Sequence, residues 1–387
     1  MSRTPGRGAL VAPVPRGAHG PAVPPSGGLP ACLAVFEGRG ADSMRQEDGA
    51  TAAWRRRCER RTVLRTPVCD VLGIDVPIVQ GPLGGPWQQG TDLPAAVSDA
   101  GGLGSVPTTM RTAAQVRDDV ARLRGLTDRP FAVNMTRRPF DPEVFDAVLA
   151  VRPPVFSLAL GDPGDLVGGV HDAGAVFVQQ VTTVEQARRA AEAGVDVIIA
   201  QGTEAGGFSG QVGTMVLVPQ VVAAVAPLPV LASGGIADGR GTAAALVLGA
   251  QGVSIGTRFL ASAECAVPEE WKAAIGAADS QDAVKVSFAH HVLPPPTEGG
   301  YDTVPRSLRT RFVDAWNTRQ EAAAESAGTL REQVMAAMSE GTTHRLLPLT
   351  GQSAGLVADV APAGDIVRRL AGEAEEILRA ASRIGQA

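Results

Sequence analysis

Short apolar runs and longer amphipathic segments alternate along the chain from about residue 69 onward. The runs are rich in β-branched residues, which is typical of strands buried on both faces of a parallel sheet. They predict eight strands, at residues 77–80, 103–106, 131–135, 155–160, 175–181, 196–202, 229–233 and 252–260. The segments between them predict helices at residues 93–100, 113–123, 141–151, 165–173, 183–193, 215–225 and 239–248. Eight strand–helix units in succession predict an α/β fold of the closed (β/α)8 or TIM-barrel type.

The alternation stops at both ends of the predicted barrel, and this sets the domain boundaries. Residues 1–66 are rich in Pro, Gly, Ala and Arg without a sustained period, so we expect a disordered extension. The barrel is assigned to residues 67–267. Residues 268–345 depart from the pattern and predict a lid or small domain inserted after strand eight, and residues 346–387 return to the barrel with a helical pattern.

Composition narrows the class of protein. The 387 residues are 44% hydrophobic and 19% charged, an ordinary globular balance, and the net charge of −5 does not attract nucleic acid or an anionic membrane surface. No apolar run reaches the roughly 20 residues that cross a bilayer. We therefore expect a cytoplasmic protein with a small-molecule substrate. A homodimer is compatible with this composition but is not specified by it.

Cysteine and lysine usage disfavours several chemistries. The four cysteines, Cys32, Cys58, Cys69 and Cys265, have the spacing of neither a disulfide framework nor a zinc site, so no metal site is expected. The only lysines are Lys272 and Lys285, late in the chain. A Schiff-base lysine on a barrel strand is therefore disfavoured.

The ends of the predicted strands are rich in amides and glycine and almost free of charge. In a barrel of this type the active site lies at the C-terminal ends of the strands. The candidate cofactor-binding residues there are Gln80, Gly81, Pro82, Asn134, Gln180, Gln201, Ala205, Gly206, Gly207, Ser233, Gly234, Gly235, Gly256 and Thr257. Glu204 is the only carboxylate at the rim of strand six, and Asp196, at the opposite end of that strand, is expected to be structural.

Two kinds of group in this set suit the two ends of a flavin mononucleotide. Backbone N–H groups of Gly234, Gly235, Gly256 and Thr257 can cradle a phosphate, since glycine allows close approach of the backbone. The uncharged amides Asn134, Gln180 and Gln201 can pair with the edge of a flat heterocycle. On chemistry alone a phosphosugar site of similar form remains the alternative.

Six stretches together resemble the nitronate monooxygenase family, formerly called 2-nitropropane dioxygenases. They are PIVQGPLGG (77–85), AAVSDAGGLGSV (95–106), FAVNM (131–135), AQGTEAGG (200–207), VLASGGIADGRGTAAALVLGAQGVSIGTRFLAS (230–262) and GQSAGL (351–356). The resemblance implies an FMN-binding TIM barrel with an added small domain, which oxidises alkyl nitronates with O₂. It also implies a flavin contact for Gln352, in the last stretch, and a position facing the flavin ring for Gln180.

One position departs from the family pattern. Much of the family continues the AGG sequence with a histidine that acts as a base, and this chain has Phe208 there. A phenyl ring cannot exchange a proton, so abstraction of a C–H proton from a neutral nitroalkane is in doubt, whereas a nitronate is already an anion. His290 and His291, in the predicted lid, are weak candidates for a substitute base, and the catalytic residues otherwise stay open.

Four functions therefore remain open. The first is an FMN-dependent nitronate monooxygenase. The second is a flavin-dependent enoyl-thioester reductase that uses NAD(P)H, because the same barrel resembles that group too. The third is a flavin-binding homologue whose catalysis is altered by Phe208. The fourth, a nucleotide-binding barrel of the IMP type, needs a nucleophilic thiol in a barrel loop, for which Cys265 is a poor candidate.

Overall fold

A computed structural model describes residues 64–84, 90–137, 139–293 and 301–384. Eight parallel strands form the barrel: β1 (Ile78–Gln80), β2 (Gly104–Pro107), β3 (Phe131–Thr136), β4 (Val155–Ala159), β5 (Val176–Val181), β6 (Val197–Gln201), β8 (Val230–Ser233) and β9 (Gly252–Ile255). The helices after these strands include Asp92–Asp99, Ala113–Leu126, Pro142–Ala150, Leu166–Asp172, Val184–Ala193, Thr214–Val225 and Gly239–Val247. The predicted TIM-barrel fold is confirmed.

The barrel closes between its first two strands. The strands follow the order β1-β9-β8-β6-β5-β4-β3-β2, and a parallel bridge between Val79 and Leu103 joins the two ends of that order. The Leu103 amide donates to the Ile78 carbonyl at 2.9 Å, and the Gln80 amide donates to the Leu103 carbonyl at 2.9 Å. The side chain of Gln80 extends the seam, because its Oε1 accepts from the Ser105 amide at 3.0 Å.

Alternate residues of the strands fill the inside of the barrel. One apolar cluster contains Val79, Leu103, Ala132, Val155, Val178, Ile199 and Leu231, whereas their neighbours Phe177, Ile198 and Val230 belong to the outer core under the helices. This is the period of two that a strand requires. A short helix, Val68–Leu72, adds Val68, Cys69 and Leu72 to the inner cluster and covers the N-terminal end of the barrel.

Local sequence signals set the ends of several outer helices. Thr183 and Gln186 form a reciprocal capping box at the start of Val184–Ala193, and Gly194, with φ of 92°, ends that helix in the left-handed region. The predicted Asp141 cap accepts from the amides of Glu143 and Val144. Side-chain caps of this kind typically stabilise a helix by about 1 kcal/mol, so these positions fix where the helices begin.

The insertion after the barrel forms its own layer, and we call residues 268–345 the lid. Its elements are helices Glu269–Ala277, Ala289–Val292, Arg311–Asn317, Gln320–Glu325 and Ala327–Ser339 and strands β10 (Ala283–Lys285) and β11 (Val304–Leu308). A strand missing from the sequence prediction, β7 (Gly207–Ser209), leaves the barrel after β6 and pairs with β11 in an antiparallel sheet of order β10-β11-β7. The lid thus pairs with the loop after β6 in a three-stranded sheet that is separate from the barrel sheet.

Two sequence expectations need correction or restriction. The strand predicted at 252–260 is wrong in its second half, since β9 ends at Ile255 and Thr257–Leu260 is helical. Apolar residues continue across the boundary, so the pattern cannot mark it. Residues 1–63 of the extension that is predicted to be disordered lie outside the described part of the chain. Within the described part, Leu64 packs against the outer core.

The C-terminal segment returns to the barrel through the helix Ala363–Ala381. Its Glu373 carboxylate accepts from the Gly239 amide at 3.0 Å, at the start of a barrel helix. The buried Arg258 guanidinium donates to the carbonyl and the carboxylate of Asp359, both at 2.7 Å. Within the described ranges we find no helix both long enough and apolar enough to cross a membrane.

Candidate active site

The inside of the barrel changes from apolar to polar at the C-terminal ends of the strands. Side chains on one face of a strand repeat every second residue. On six of the strands, the residue two positions after the inner apolar residue is polar and lies on the same face. These side chains are Ser105, Asn134, Ser157, Gln180, Gln201 and Ser233. We call this end of the barrel the mouth. It brings together the amides that the sequence predicted as candidates.

The two sides of β5 distinguish Gln180 from its neighbour Gln179. Gln180 has the same parity as the inner residue Val178 and is half-buried. Gln179 is fully buried on the outer face, where its Nε2 donates to the Gly161 carbonyl at 3.0 Å and to the hydroxyl of Tyr301 at 3.3 Å. Burial raises the pKa of that Tyr301 hydroxyl. Gln180 is therefore the glutamine of this pair that can meet a ligand at the mouth.

Three amide side chains at the mouth differ in how much bonding capacity they have left. Gln80 uses both ends on the protein, since Nε2 donates to the Ser105 carbonyl at 3.2 Å and Oε1 accepts from the Ser105 amide. Asn134 donates to the Ser157 hydroxyl at 3.0 Å. Gln201 has a buried Oε1 without a hydrogen-bond partner among the described residues. Of the three, Gln201 has the clearest unused acceptor, and a buried polar atom normally has a partner.

Glu204, the carboxylate at the rim, serves the barrel itself. Its carboxylate oxygens accept from the Thr214 amide at 3.0 Å and from the Thr214 hydroxyl at 2.8 Å. Thr214 is the first residue of the helix Thr214–Val225, whose N-terminal amides have no partner within the helix. Glu204 therefore fixes the start of this helix, and its oxygens are engaged there.

The loop after β6 is packed against the C-terminal segment. The Gln352 amide donates to the Glu204 carbonyl at 2.9 Å, and the Gly351 amide donates to the hydroxyl of Thr257 at 2.9 Å. A Cβ added at Gly206 would lie 2.6 Å from the Gly351 nitrogen. Gln352, half-buried, thus lies beside the loop after β6, and its flavin contact stays a prediction. Gly351 was not singled out, although it stands in the same GQSAGL motif.

The predicted phosphate residues lie at the ends of β8 and β9. Gly234 and Gly235 have φ of 100° and 73°, a conformation that favours glycine. They follow the buried Ser233, whose carbonyl accepts from the Gly202 amide at 2.8 Å. At Gly256 an added Cβ would have the Leu83 side chain at 3.6 Å as its nearest neighbour. A methyl group at Gly256 would therefore meet no clash among the described residues.

The first barrel loop lies beside Gly256. Gly81 donates its amide to the Ile255 carbonyl at 2.7 Å, and a Cβ there would be 3.3 Å from the Ile255 backbone. Pro82 follows, half-buried. Close packing between the two strand ends, rather than a ligand alone, thus accounts for the glycine at position 81.

Phe208 lies in β7, opposite Pro305 of the lid strand β11. Its ring is partly buried and packs against the apolar cluster of the lid, which includes Phe288 and Val313. Ala205, two positions before β7, is buried, and its carbonyl accepts from the Ser209 hydroxyl at 3.3 Å. Phe208 therefore joins the loop after β6 to the lid by apolar contact.

The two candidate histidines make their contacts within the lid. The Nδ1 atom of His290 lies 2.7 Å from the Ser287 carbonyl, and the centroid of its ring lies 3.8 Å from that of His291, with the ring planes tilted by 46°. Burial lowers the pKa of His291, and the neighbouring His290 lowers it further. Both imidazoles are thus accounted for by local contacts, and their role as a substitute base stays a prediction.

The mouth fits a flavin nucleotide in three respects. Gln201 offers an unused buried acceptor, which suits the N–H edge of a heterocycle. Gly207 has φ of 65° and open space where a Cβ would stand, so a flat ring can approach its backbone. Gly256 has room among the described residues for a group that approaches its backbone, which suits a phosphate.

Comparisons with known proteins identify the family of the chain. The family model for nitronate monooxygenase matches residues 65–142 and 140–373. A dehydrogenase of Mycobacterium tuberculosis, named (3aS,4S,5R,7aS)-5-hydroxy-7a-methyl-1-oxo-octahydro-1H-indene-4-carboxyl-CoA dehydrogenase, is 38% identical over 212 residues, which are 54% of this chain. The match spans 59% of the length of that relative.

Two solved structures are similar over nearly their whole length. FabK from Thermotoga maritima is 34% identical with a TM-score of 0.74, covering 82% of this chain and 99% of FabK. The nitroalkane oxidase of Streptomyces ansochromogenes is 30% identical with a TM-score of 0.68, covering 81% of this chain and 99% of the other. Since the family model matches most of the chain, the resemblance found in the motifs is confirmed: the protein belongs to the nitronate monooxygenase family.

Proposed function

We propose that this chain is an FMN-dependent oxidoreductase that oxidises alkyl nitronates with O₂. The observation that carries the proposal is the mouth, an uncharged set of amides with open glycine backbone at Gly207 and with a buried acceptor on Gln201 that has no partner among the described residues. Family membership and the similarity to a nitroalkane oxidase support it. We place the protein in the cytoplasm, with a small molecule and O₂ as its reaction partners.

Each candidate residue has a role in this proposal. Backbone groups of Gly234, Gly235, Gly256 and Thr257 hold the phosphate, with Ser233 beside them. Asn134, Gln180 and Gln201 pair with the edge of the ring. Ala205, Gly206 and Gly207 line the ring face, while Gln80, Gly81, Pro82 and Gln352 complete the wall. When bound, FMN supplies the acceptor for the electrons of the substrate.

Phe208 decides which form of the substrate the site accepts. The ring packs on the lid and has no atom that takes a proton, so this position cannot remove one from a neutral nitroalkane. A nitronate has already lost that proton in solution. The proposed substrate is therefore the anion.

The test is an anaerobic absorption spectrum of the purified protein before and after an alkyl nitronate is added. We expect an oxidised flavin spectrum that is bleached by the nitronate, and not by the same concentration of the neutral nitroalkane at a pH where it stays protonated. Flavin that stays oxidised with the nitronate contradicts nitronate oxidation. Absence of flavin binding, even after reconstitution with FMN, contradicts the site itself.

A second candidate is an enoyl-thioester reductase that uses NAD(P)H. The name of the M. tuberculosis relative indicates a CoA thioester as its substrate, and that relative is 38% identical to this chain over the matched residues. Addition of NADPH to the same anaerobic sample separates the two candidates. Bleaching by NADPH, with no response to nitronate, favours the reductase.

A further inference from the structure

Two cations of the lid sheet stand directly opposite each other. Lys285 of β10 pairs with Arg306 of β11, and Arg306 also pairs with Gly207 of β7. Like charges at opposite positions of neighbouring strands destabilise a sheet. Burial and the Arg306 charge lower the pKa of Lys285 to about 8, while the Glu204 carboxylate raises it. Holding both cations here is therefore costly, and their contacts must offset the cost.

The Lys285 ammonium lies in a cage of four oxygen atoms. Its Nζ donates to the Ser209 carbonyl at 2.8 Å, the Ser209 hydroxyl at 2.6 Å and the Gly210 carbonyl at 3.0 Å. The fourth oxygen is the Val304 carbonyl at 3.0 Å. An ammonium group has three protons, so these acceptors use its whole capacity. Lys285 is thus committed to the backbone that follows Phe208.

The Arg306 guanidinium holds the other end of the same loop. Its Nε and Nη2 donate to the Thr203 carbonyl at 3.1 and 2.9 Å, and its Nη1 donates to the Ala283 carbonyl at 2.6 Å. The side chain is buried. Hydrogen bonds from a charged donor are stronger than neutral ones, and a planar fork holds its acceptor in a fixed direction.

We propose that Lys285 and Arg306 are positioning residues, which fix the loop 203–210 from the lid side and so set the place of Gly206 and Gly207 at the mouth. The two cations hold carbonyls on either side of this pair of glycines, at Thr203 and at Ser209 and Gly210. The effect on the flavin rests on the proposed function, whereas the effect on the loop does not.

The test uses hydrogen exchange on the full-length chain as purified. Lys285→Met keeps the length of the side chain and removes the ammonium. We expect exchange of the amides in 203–210 to rise by about tenfold or more, as the loss of charged hydrogen bonds allows local opening. Lys285→Arg restores a cation and is expected to recover most of the protection. Lys272→Met, which removes the other lysine and its contact with Glu269, is the matched control and leaves 203–210 unchanged.

Two results overturn the proposal: unchanged exchange at 203–210 in Lys285→Met, or an equal rise in Lys272→Met. If Lys285→Met also raises exchange in β3, the fold itself has loosened, and Arg306→Lys decides. That variant keeps the charge but loses the fork on the Thr203 carbonyl, so a rise confined to 203–210 supports the proposal and no rise overturns it.

A titration with FMN gives the second readout. We expect the dissociation constant for FMN to rise about tenfold in Lys285→Met, with a shifted flavin absorption band, and to return toward the wild-type value in Lys285→Arg. An unchanged constant and band overturn the link to the mouth. Failure of the wild-type protein to bind FMN at all overturns the proposed function instead, and the exchange result still decides whether the two cations fix the loop.

Discussion

Gly206 and Gly256 lie in two loops of the same mouth, and they are glycines for different reasons. At Gly206 a Cβ would lie 2.6 Å from the backbone nitrogen of Gly351, so the protein itself leaves no room. At Gly256 the nearest atom to a Cβ would be a leucine methyl group of Leu83 at 3.6 Å, an ordinary contact. The loop after β6 is thus packed tightly by its own chain, whereas Gly256, after β9, has room for a methyl group among the described residues.

The difference shows which glycines point to a ligand. A glycine that is packed by other backbone is explained by the fold, and its substitution damages the fold. A glycine whose added Cβ would make only an ordinary contact and whose φ is ordinary, such as Gly256 at −102°, is not explained by packing among the described residues. A ligand that approaches its backbone closely is the explanation that remains. Substitutions at these two positions therefore separate stability from binding.

The largest effect is expected for Gly206→Ala. Its Cβ meets backbone on both sides of the Thr350–Gly351 bond, which a side-chain rotation cannot relieve. We expect the free energy of unfolding to fall by about 3 kcal/mol, at the upper end of the usual cost of overpacking. Denaturation in urea measures it. As a control, Gly372→Ala in the middle of an exposed helix, with nothing within 4 Å, is expected to stabilise by up to about 1 kcal/mol. A Gly206→Ala protein as stable as wild type would contradict the packing argument.

Gly256→Ala is expected to leave the fold intact and weaken the flavin site. The dissociation constant for FMN should rise roughly 10- to 100-fold, because a methyl group displaces the phosphate from backbone donors that bind a charged partner. Fluorescence titration measures the constant, and thermal unfolding of the FMN-free protein checks the fold. Unchanged affinity with an intact fold would remove Gly256 from the phosphate site and shrink the difference between the two loops.

Phe208→Ala tests how much the apolar contact between Phe208 and the lid stabilises the protein. A half-buried ring lost from the lid cluster is expected to cost about 2 kcal/mol of stability, less than a fully buried phenylalanine. Phe208→Leu keeps apolar contact and is expected to cost less than half of that amount. If Phe208 takes no part in proton transfer, the pH profile of nitronate turnover in Phe208→Leu should keep the wild-type shape. A pH profile that changes shape would contradict the packing role.

The last expected effect is a pH dependence of stability that arises from Lys285, which binds the packed loop. The pKa of Lys285 is about 8 in the folded protein, against 10.5 for an unperturbed lysine. Between these two pH values the unfolded chain therefore binds more protons than the folded protein. The free energy of unfolding from this group therefore rises as the pH increases from 8 toward 10.5, and below pH 8 it is flat. Comparison of urea unfolding between wild type and Lys285→Met at pH 7.5 and 9.5 measures it. An equal pH dependence in both proteins would show that Lys285 titrates normally.

The barrel could be predicted because each of its strands is specified locally. The strand predicted at 229–233 is observed at Val230–Ser233, since a doubly buried apolar run ends at glycine there. The three residues of β7, Gly207–Ser209, carry no such run, and their partner β11 lies almost 100 residues further on. Pairing of that kind is decided by tertiary contact, so the lid sheet could not be predicted.

The types of residue at the site could be predicted from the sequence, whereas their individual hydrogen bonds could not. The amides at the strand ends follow from the period of two along each strand, which also selects Gln180 over Gln179. The engagement of Gln80 with the seam at Ser105 depends on which strands close the barrel. Lys285 was noted in the sequence only as a rare lysine, because nothing local indicates that its ammonium meets Ser209 and Gly210. The assigned flavin contacts stay predictions until they are measured.

The pairing of β1 with β9 has a consequence for the chain as it is synthesised. Strand β1 finds its partner β9 only when Val253 has been made, about 175 positions after Ile78. At roughly 5 to 20 residues per second, synthesis of that stretch alone takes about 9 to 35 seconds. During this time the edge of β1 that later pairs with β9 is unpaired, and such an edge is prone to pair with other chains. The growing chain is therefore most exposed to aggregation on the ribosome, just before the last barrel strand emerges.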